Sequence, residues 1–97
     1  MTEDQSLAEL LADLHAHLEA TAELPIRREA NLWLGEAEAV AADVAGGDAS
    51  EETVRARVEQ IRTLLERIDE TENAAADERV EAALELAAAV ENRLGRR

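Results

Sequence analysis

Pairs of carboxylates at helical spacing come closest to chemistry in this sequence. Glu66 precedes Asp69 by three residues, and Glu78 precedes Glu81 by three, so each pair shares one face of a helix. Helical magnesium-dependent hydrolases use such pairs to hold Mg²⁺ against a phosphate chain. Acidic residues number 23 of 97, however, so these spacings also arise by chance. We interpret them as solvated, salt-bridged faces and keep the four residues as metal-ligand candidates for an alternative function, a magnesium-dependent hydrolase.

The two histidines, His15 and His17, are the other candidate metal ligands. Residues two apart on a helix point about 200° apart, so both cannot bind one ion within the same helix. Each can meet a carboxylate four residues away, Glu19 for His15 and Asp13 for His17, but zinc needs three or four ligands. We therefore predict histidines at the edge of the core, hydrogen-bonded to neighbouring carboxylates. No catalytic residue, metal site or cofactor is predicted, and without cysteine there is no thiolate chemistry.

The charge of the chain excludes some partners and indicates a solvent. All ten basic residues are arginine, and the formal net charge is −13. Such a surface repels phosphate, so we expect neither nucleic acid nor an anionic membrane as a partner. It also destabilises a compact chain by self-repulsion unless salt screens it. At molar salt the Debye length falls to about 3 Å, so this composition is typical of a high-salt cytosol.

Three segments carry a resemblance: LHAHLEATAELPI, WLGEAEAVAADVAG and DETENAAADERVEAA. They resemble short acidic proteins of unknown function from haloarchaea, and the resemblance extends over most of the chain. It implies a halophilic, cytoplasmic protein and brings no catalytic residues with it. The acidic start of the sequence agrees, because a secretory signal has a basic start followed by an apolar run.

Four stripes of apolar residues at helical spacing predict four helices, and a disordered chain has no reason to keep such stripes. Two capping boxes compete for the start of the first helix, Thr2–Gln5 and Ser6–Glu9. The stripes are Leu7, Leu10, Leu11, Leu14 and Leu18; Ala30, Trp33, Leu34, Ala37, Val40, Ala41 and Val44; Val54, Val58, Ile61, Leu64, Leu65 and Ile68; and Ala76, Val80, Ala83, Leu84, Ala87, Val90 and Leu94.

Breaks between the stripes mark the helix ends. The first helix should end before Pro25, which suits the first turn of the second helix. That helix should end at Gly46–Gly47, and Ser50 should cap the third. The break at Thr71–Asn73 is the weakest because it has neither glycine nor proline, and either Thr71 or Asn73 can cap the fourth helix.

Short links and matched helix lengths predict an all-α, up-down-up-down four-helix bundle formed by one domain over residues 1–97. The alternative is three helices, the last one long, over residues 50–94. Many inward positions are alanine, which allows close helix approach but leaves little apolar area to bury. A dimer would therefore help such a bundle.

A partner surface and an ion pair can be predicted. Trp33 lies at a core angle of its helix, whereas Leu32 falls on the opposite side, so Leu32, Trp33 and Leu34 are our candidate partner or dimer surface. Glu91 falls inside the apolar stripe of the fourth helix, where an unpaired carboxylate is costly. We predict an ion pair with Arg57 across the last hairpin, or fraying of the fourth helix as the alternative.

The sequence thus predicts a small helical interaction or structural module without catalytic activity. Its expected partner is another protein or a second copy of itself, and its expected compartment is the cytoplasm.

Overall fold

The computed structural model describes residues 6–68 and 71–95. Within these ranges the chain forms four α-helices, one short 3₁₀ turn at Thr21–Glu23 and no strand. The helices are α1 (Leu7–Ala20), α2 (Arg28–Ala45), α3 (Glu51–Glu66) and α4 (Ala74–Arg93). The predicted all-α fold is confirmed.

The helices pack as a ring of neighbours. α1 lies against both α2 and α4, and α3 completes the ring by packing against the same two helices. With short connections this is an up-down-up-down four-helix bundle, measuring 35 × 25 × 23 Å along its principal axes.

Side-chain caps start three of the helices as their sequences predict. Ser6 and Glu9 form a reciprocal capping box on α1, while the competing box at Thr2–Gln5 lies outside the described residues. The Ser50 hydroxyl accepts from the Thr53 backbone N–H at the start of α3. At α4 the cap is Asn73, whose Oδ1 accepts from the N–H of Ala76. Each cap satisfies an amide of the first turn that has no partner inside its helix.

The alternative of one long helix over residues 50–94 is wrong. α3 ends at Glu66, and Glu72 has a φ of 63°, a left-handed conformation that no helix contains. The Thr71 side chain is fully buried at this break, and its hydroxyl lies 2.7 Å from Oδ1 of Asp77 and 2.8 Å from the Asn73 carbonyl. The break needs no glycine because these polar contacts hold the backbone in place.

Pro25 lies outside α2, so its predicted place in the first turn of that helix is wrong. The helix begins three residues later, because the connection before it is bound to the connection between α3 and α4. Asn73 donates from Nδ2 to the Pro25 carbonyl at 3.3 Å, and the Arg27 N–H donates to the Thr71 carbonyl at 3.0 Å. These bonds tie the two connections together at one end of the bundle.

The core consists of the four predicted stripes, with leucine on α1 and mainly alanine and valine on α4. Six members of the stripes are only partly buried at its margin: Leu7, Trp33, Val40, Ile68, Val80 and Leu84. Alanines at inward positions are fully buried, as close helix approach requires. They are Ala37, Ala41, Ala76, Ala83 and Ala87.

Candidate functional site

The outer side of α2 carries an exposed apolar surface. Leu32 is 62 % exposed and is the one exposed large hydrophobic residue in the described ranges. Leu34, the third residue of the predicted partner surface, is only 2 % exposed, so it belongs to the core and not to this surface. Trp33 lies between these extremes, half-buried against the core.

Trp33 is held against its own molecule by a cation–π contact. The guanidinium of Arg67, just past the end of α3, lies 5.1 Å from the centre of the indole ring. The pair borders an open groove between α2 and α3 whose other walls include Glu36 and Glu59. Because Arg67 already occupies a face of the ring, Trp33 is chiefly a link between α2 and α3. Leu32 is therefore the outward-facing part of the predicted surface.

Leu32 is the first residue of an uncharged strip along α2, which the sequence analysis did not identify. Leu32, Gly35, Ala39 and Ala42, here called the α2 strip, are all exposed. Their spacings of three, four and three residues align them along one side of the helix. This spacing can be read from the sequence, but it lies on the solvent-exposed face of the predicted helix, and the prediction of the core considered only the opposite face. Leu32 is what distinguishes the α2 strip, because exposed uncharged lines at helical spacing also occur on α1 (Ala8, Ala12 and Ala16) and on α3 (Thr53, Ala56, Gln60 and Thr63).

A charged residue lies at each end of the strip, and both of these residues oppose the dipole of α2, while the exposed Glu36 borders its middle. Arg28 is the first residue of the helix, where the dipole disfavours positive charge. Asp43 lies in the last turn, where negative charge is disfavoured. Both are exposed, and neither has an ion-pair partner among the described residues.

Each histidine contacts a side chain of another helix. His15 Nε2 lies 3.1 Å from Oε2 of Glu38 on α2, so it does meet a carboxylate. His17 Nδ1 lies 3.0 Å from an Nη of Arg79 on α4. Since arginine only donates, Nδ1 of His17 accepts this bond and carries no proton. At the edge of a bundle, a side chain on a packed helix can lie as near to a histidine as a side chain one turn away on the histidine's own helix.

The candidate metal ligands are spread over exposed surfaces. Glu66, Glu78 and Glu81 are all exposed, and Asp69 lies outside the described residues. Glu66 approaches Arg62 at 3.9 Å. No group of three or more residues able to hold a metal ion occurs in the described part of the chain. The metal assignment stays a prediction, and a titration with Mg²⁺ that follows the amide signals of these four residues would test it.

The ion pair of Glu91 crosses the predicted hairpin but uses a different arginine. Arg62 on α3 donates to Oε1 of Glu91 at 2.6 Å, whereas Arg57 is exposed, so the predicted partner is wrong. The fraying alternative is also wrong, because α4 stays helical to Arg93. Arg57 and Arg62 lie about 7.5 Å apart along α3 and about 140° apart around it, so the pairing depends on both the axial position and the rotation of α3 against α4, which an apolar stripe does not define. Arg55, the next arginine along this side, donates to the Leu94 carbonyl.

These features define a small all-α domain with a four-helix-bundle fold and an uncharged strip on one helix. No helix within the described residues combines the length and the apolar character that crossing a membrane requires. A family model described as a domain of unknown function, DUF8152, matches residues 10–96, and the chain belongs to this family. No curated protein and no solved structure matches it significantly.

Proposed function

We propose that this protein is a non-catalytic interaction module of a high-salt cytoplasm and that it binds a protein partner through the outer face of α2. The observation that carries the proposal is Leu32, the one exposed large hydrophobic side chain of the described residues, which lies at one end of the uncharged α2 strip. Charged residues are depleted at the centre of protein interfaces, and the exposed side chain of Leu32 supplies apolar area that a partner can bury.

The dimensions of the strip suit a helix as the bound element. From Leu32 to Ala42 is ten residues, or about 15 Å of helix axis at 1.5 Å per residue. Glycine and alanine let a second backbone come close, and Leu32 can then pack against the partner. The contact is small by the standard of about 800 Å² per partner in stable complexes, so the proposed interaction is transient.

The proposed high-salt setting is supported by the charge of the chain. Acidic residues outnumber arginines by 23 to 10, and the resemblance to acidic haloarchaeal proteins agrees with this composition. In dilute buffer the net charge would repel any acidic partner as well as destabilise the bundle itself. Screening at molar salt removes this repulsion and leaves the apolar contact of the strip effective.

Site-specific photo-crosslinking of the full chain in the native host tests the proposal. A benzoylphenylalanine at position 32 should give protein adducts on irradiation, because Leu32 faces the proposed partner. The matched control places the same probe at Ala12, an exposed position in the middle of α1. Equal adduct yields at the two positions, or none at position 32, would refute the assignment of the α2 face.

A further inference from the structure

Three features of α2 each weaken the isolated helix. Arg28 and Asp43 both oppose the helix dipole, which disfavours such exposed charges by about 0.3–1 kcal/mol each. Gly35 interrupts the middle of the helix, where glycine is less favourable than alanine by about 0.8–1.0 kcal/mol.

Nothing inside the described fold requires that glycine. A Cβ placed on Gly35 would meet no atom within 4 Å, and its φ is not positive. Arg28 and Asp43 likewise gain no ion pair from the described residues. All three features lie along the α2 strip or at its ends. One external contact would make all three favourable.

We propose that this contact is a second copy of the chain, with the two α2 helices packed antiparallel about a two-fold axis that passes between Gly35 and Glu36. The inference rests on the proposed function, because it names the partner of the same surface. Antiparallel packing brings the start of each helix beside the end of the other. Arg28 then lies near the negative end of the second dipole and Asp43 near the positive end, so both charges become favourable.

Sequence spacing supports this register. About a centre between residues 35 and 36, Arg28 lies opposite Asp43 of the second copy, and Leu32 lies opposite its Ala39. Arg28 and Asp43 are fifteen residues apart, about 22 Å along the helix, so the two symmetric ion pairs enclose the strip at its ends. Gly35 lies at the crossing point, where a hydrogen in place of a side chain allows the closest backbone approach. The ion pairs at the two ends and the glycine at the crossing point favour this arrangement, and they must outweigh the repulsion between the two Glu36 carboxylates, which lie on the same side of the crossing point.

Charge-swap variants of the full chain test the register by sedimentation equilibrium in 0.15 M and 1 M KCl. Asp43→Arg should raise the dimer Kd by about tenfold at 0.15 M, because it places like charges opposite each other at both ends. Arg28→Asp should do the same. The double variant Arg28→Asp/Asp43→Arg restores opposite charges at both ends but places each beside the unfavourable end of the neighbouring dipole, so its Kd should lie between the original value and those of the single variants. Both swaps suit the dipole of their own helix, so the folded monomer should keep its stability.

A matched control separates the register from general electrostatics. Glu85→Arg, at an exposed position of α4, changes the net charge from −13 to −11, as Asp43→Arg also does. General repulsion between two acidic chains predicts a tighter dimer for both variants, whereas the proposed register predicts a weaker dimer for Asp43→Arg alone. Equal behaviour of the two variants would overturn the register.

Failure of this inference can be told apart from failure of the proposed function. A chain that stays monomeric to millimolar concentration in 1 M KCl would overturn the second copy as the partner. Adducts of position 32 with a different protein would then leave the α2 face as the binding surface. Absence of adducts above the Ala12 control would remove both.

Discussion

Replacing Gly35 with alanine should stabilise the folded monomer. Gly35 lies in the middle of α2 with an exposed backbone, and the added methyl group would meet no atom within 4 Å. Alanine restricts the unfolded chain more than glycine does, and it suits a helix better by about 0.8–1.0 kcal/mol. With no steric penalty to set against this gain, the free energy of unfolding should rise by about that amount.

For a domain of this length, 1 kcal/mol corresponds to a shift in Tm of about 4–8 °C. Circular dichroism at 222 nm during heating, at low micromolar protein in 2 M KCl, measures it. The low concentration matters because the proposed dimer should respond in the opposite sense: a methyl group at the crossing point separates the two helices. At high concentration, sedimentation should therefore show a weaker dimer for the same variant.

Gly47→Ala is the matched control, because it makes the same chemical change at a position with a different backbone. Gly47 follows α2 with a φ of 85°, a left-handed conformation that disfavours a Cβ by about 1–2 kcal/mol. Its Tm should fall while that of Gly35→Ala rises. A lower Tm for Gly35→Ala would show that the fold itself needs this glycine, and the argument for an external contact would lose its basis.

Three further predictions follow from charge. Raising KCl from roughly 0.1 to 2 M should raise the Tm by screening the net charge of −13, and a flat or falling Tm would contradict the halophilic proposal. A double-mutant cycle with Arg62→Met and Glu91→Gln should give a coupling energy of roughly 0.5–1 kcal/mol, because these side chains are 41 % and 28 % exposed and water screens their attraction. A coupling energy of zero would show that their contact does not stabilise the bundle. Nitrogen-15 NMR at neutral pH should find His17 with its proton on Nε2, since Nδ1 accepts from Arg79, and a dominant Nδ1–H form would refute this contact.

The candidate surface shows which features the helical period of the sequence can predict and which depend on tertiary packing. The helical angle of Leu32 predicted its exposure, because an angle on a single helix needs only the helix period. The same helical period places Leu34 in the core stripe, where it is buried, and Leu34 was included in the candidate surface only because it adjoins Trp33 in sequence. Trp33 is intermediate because Arg67, distant in sequence, packs over its ring. The spacing in the sequence predicts the uncharged strip that includes Leu32. Only the structure shows that Gly35 has open space around it, which is what makes the strip a candidate for an external contact.

By itself, the sequence determined the four helices, most of their ends, the core stripes and the acidic surface. Caps such as Ser6 and Ser50 and the stripes act over one helical turn, so neighbouring residues suffice to define them. Only the tertiary structure decided that Glu91 pairs with Arg62 and that His15 meets Glu38. Such contacts depend on how one helix slides against another, and an apolar stripe that repeats every turn leaves that position undetermined until four helices pack together.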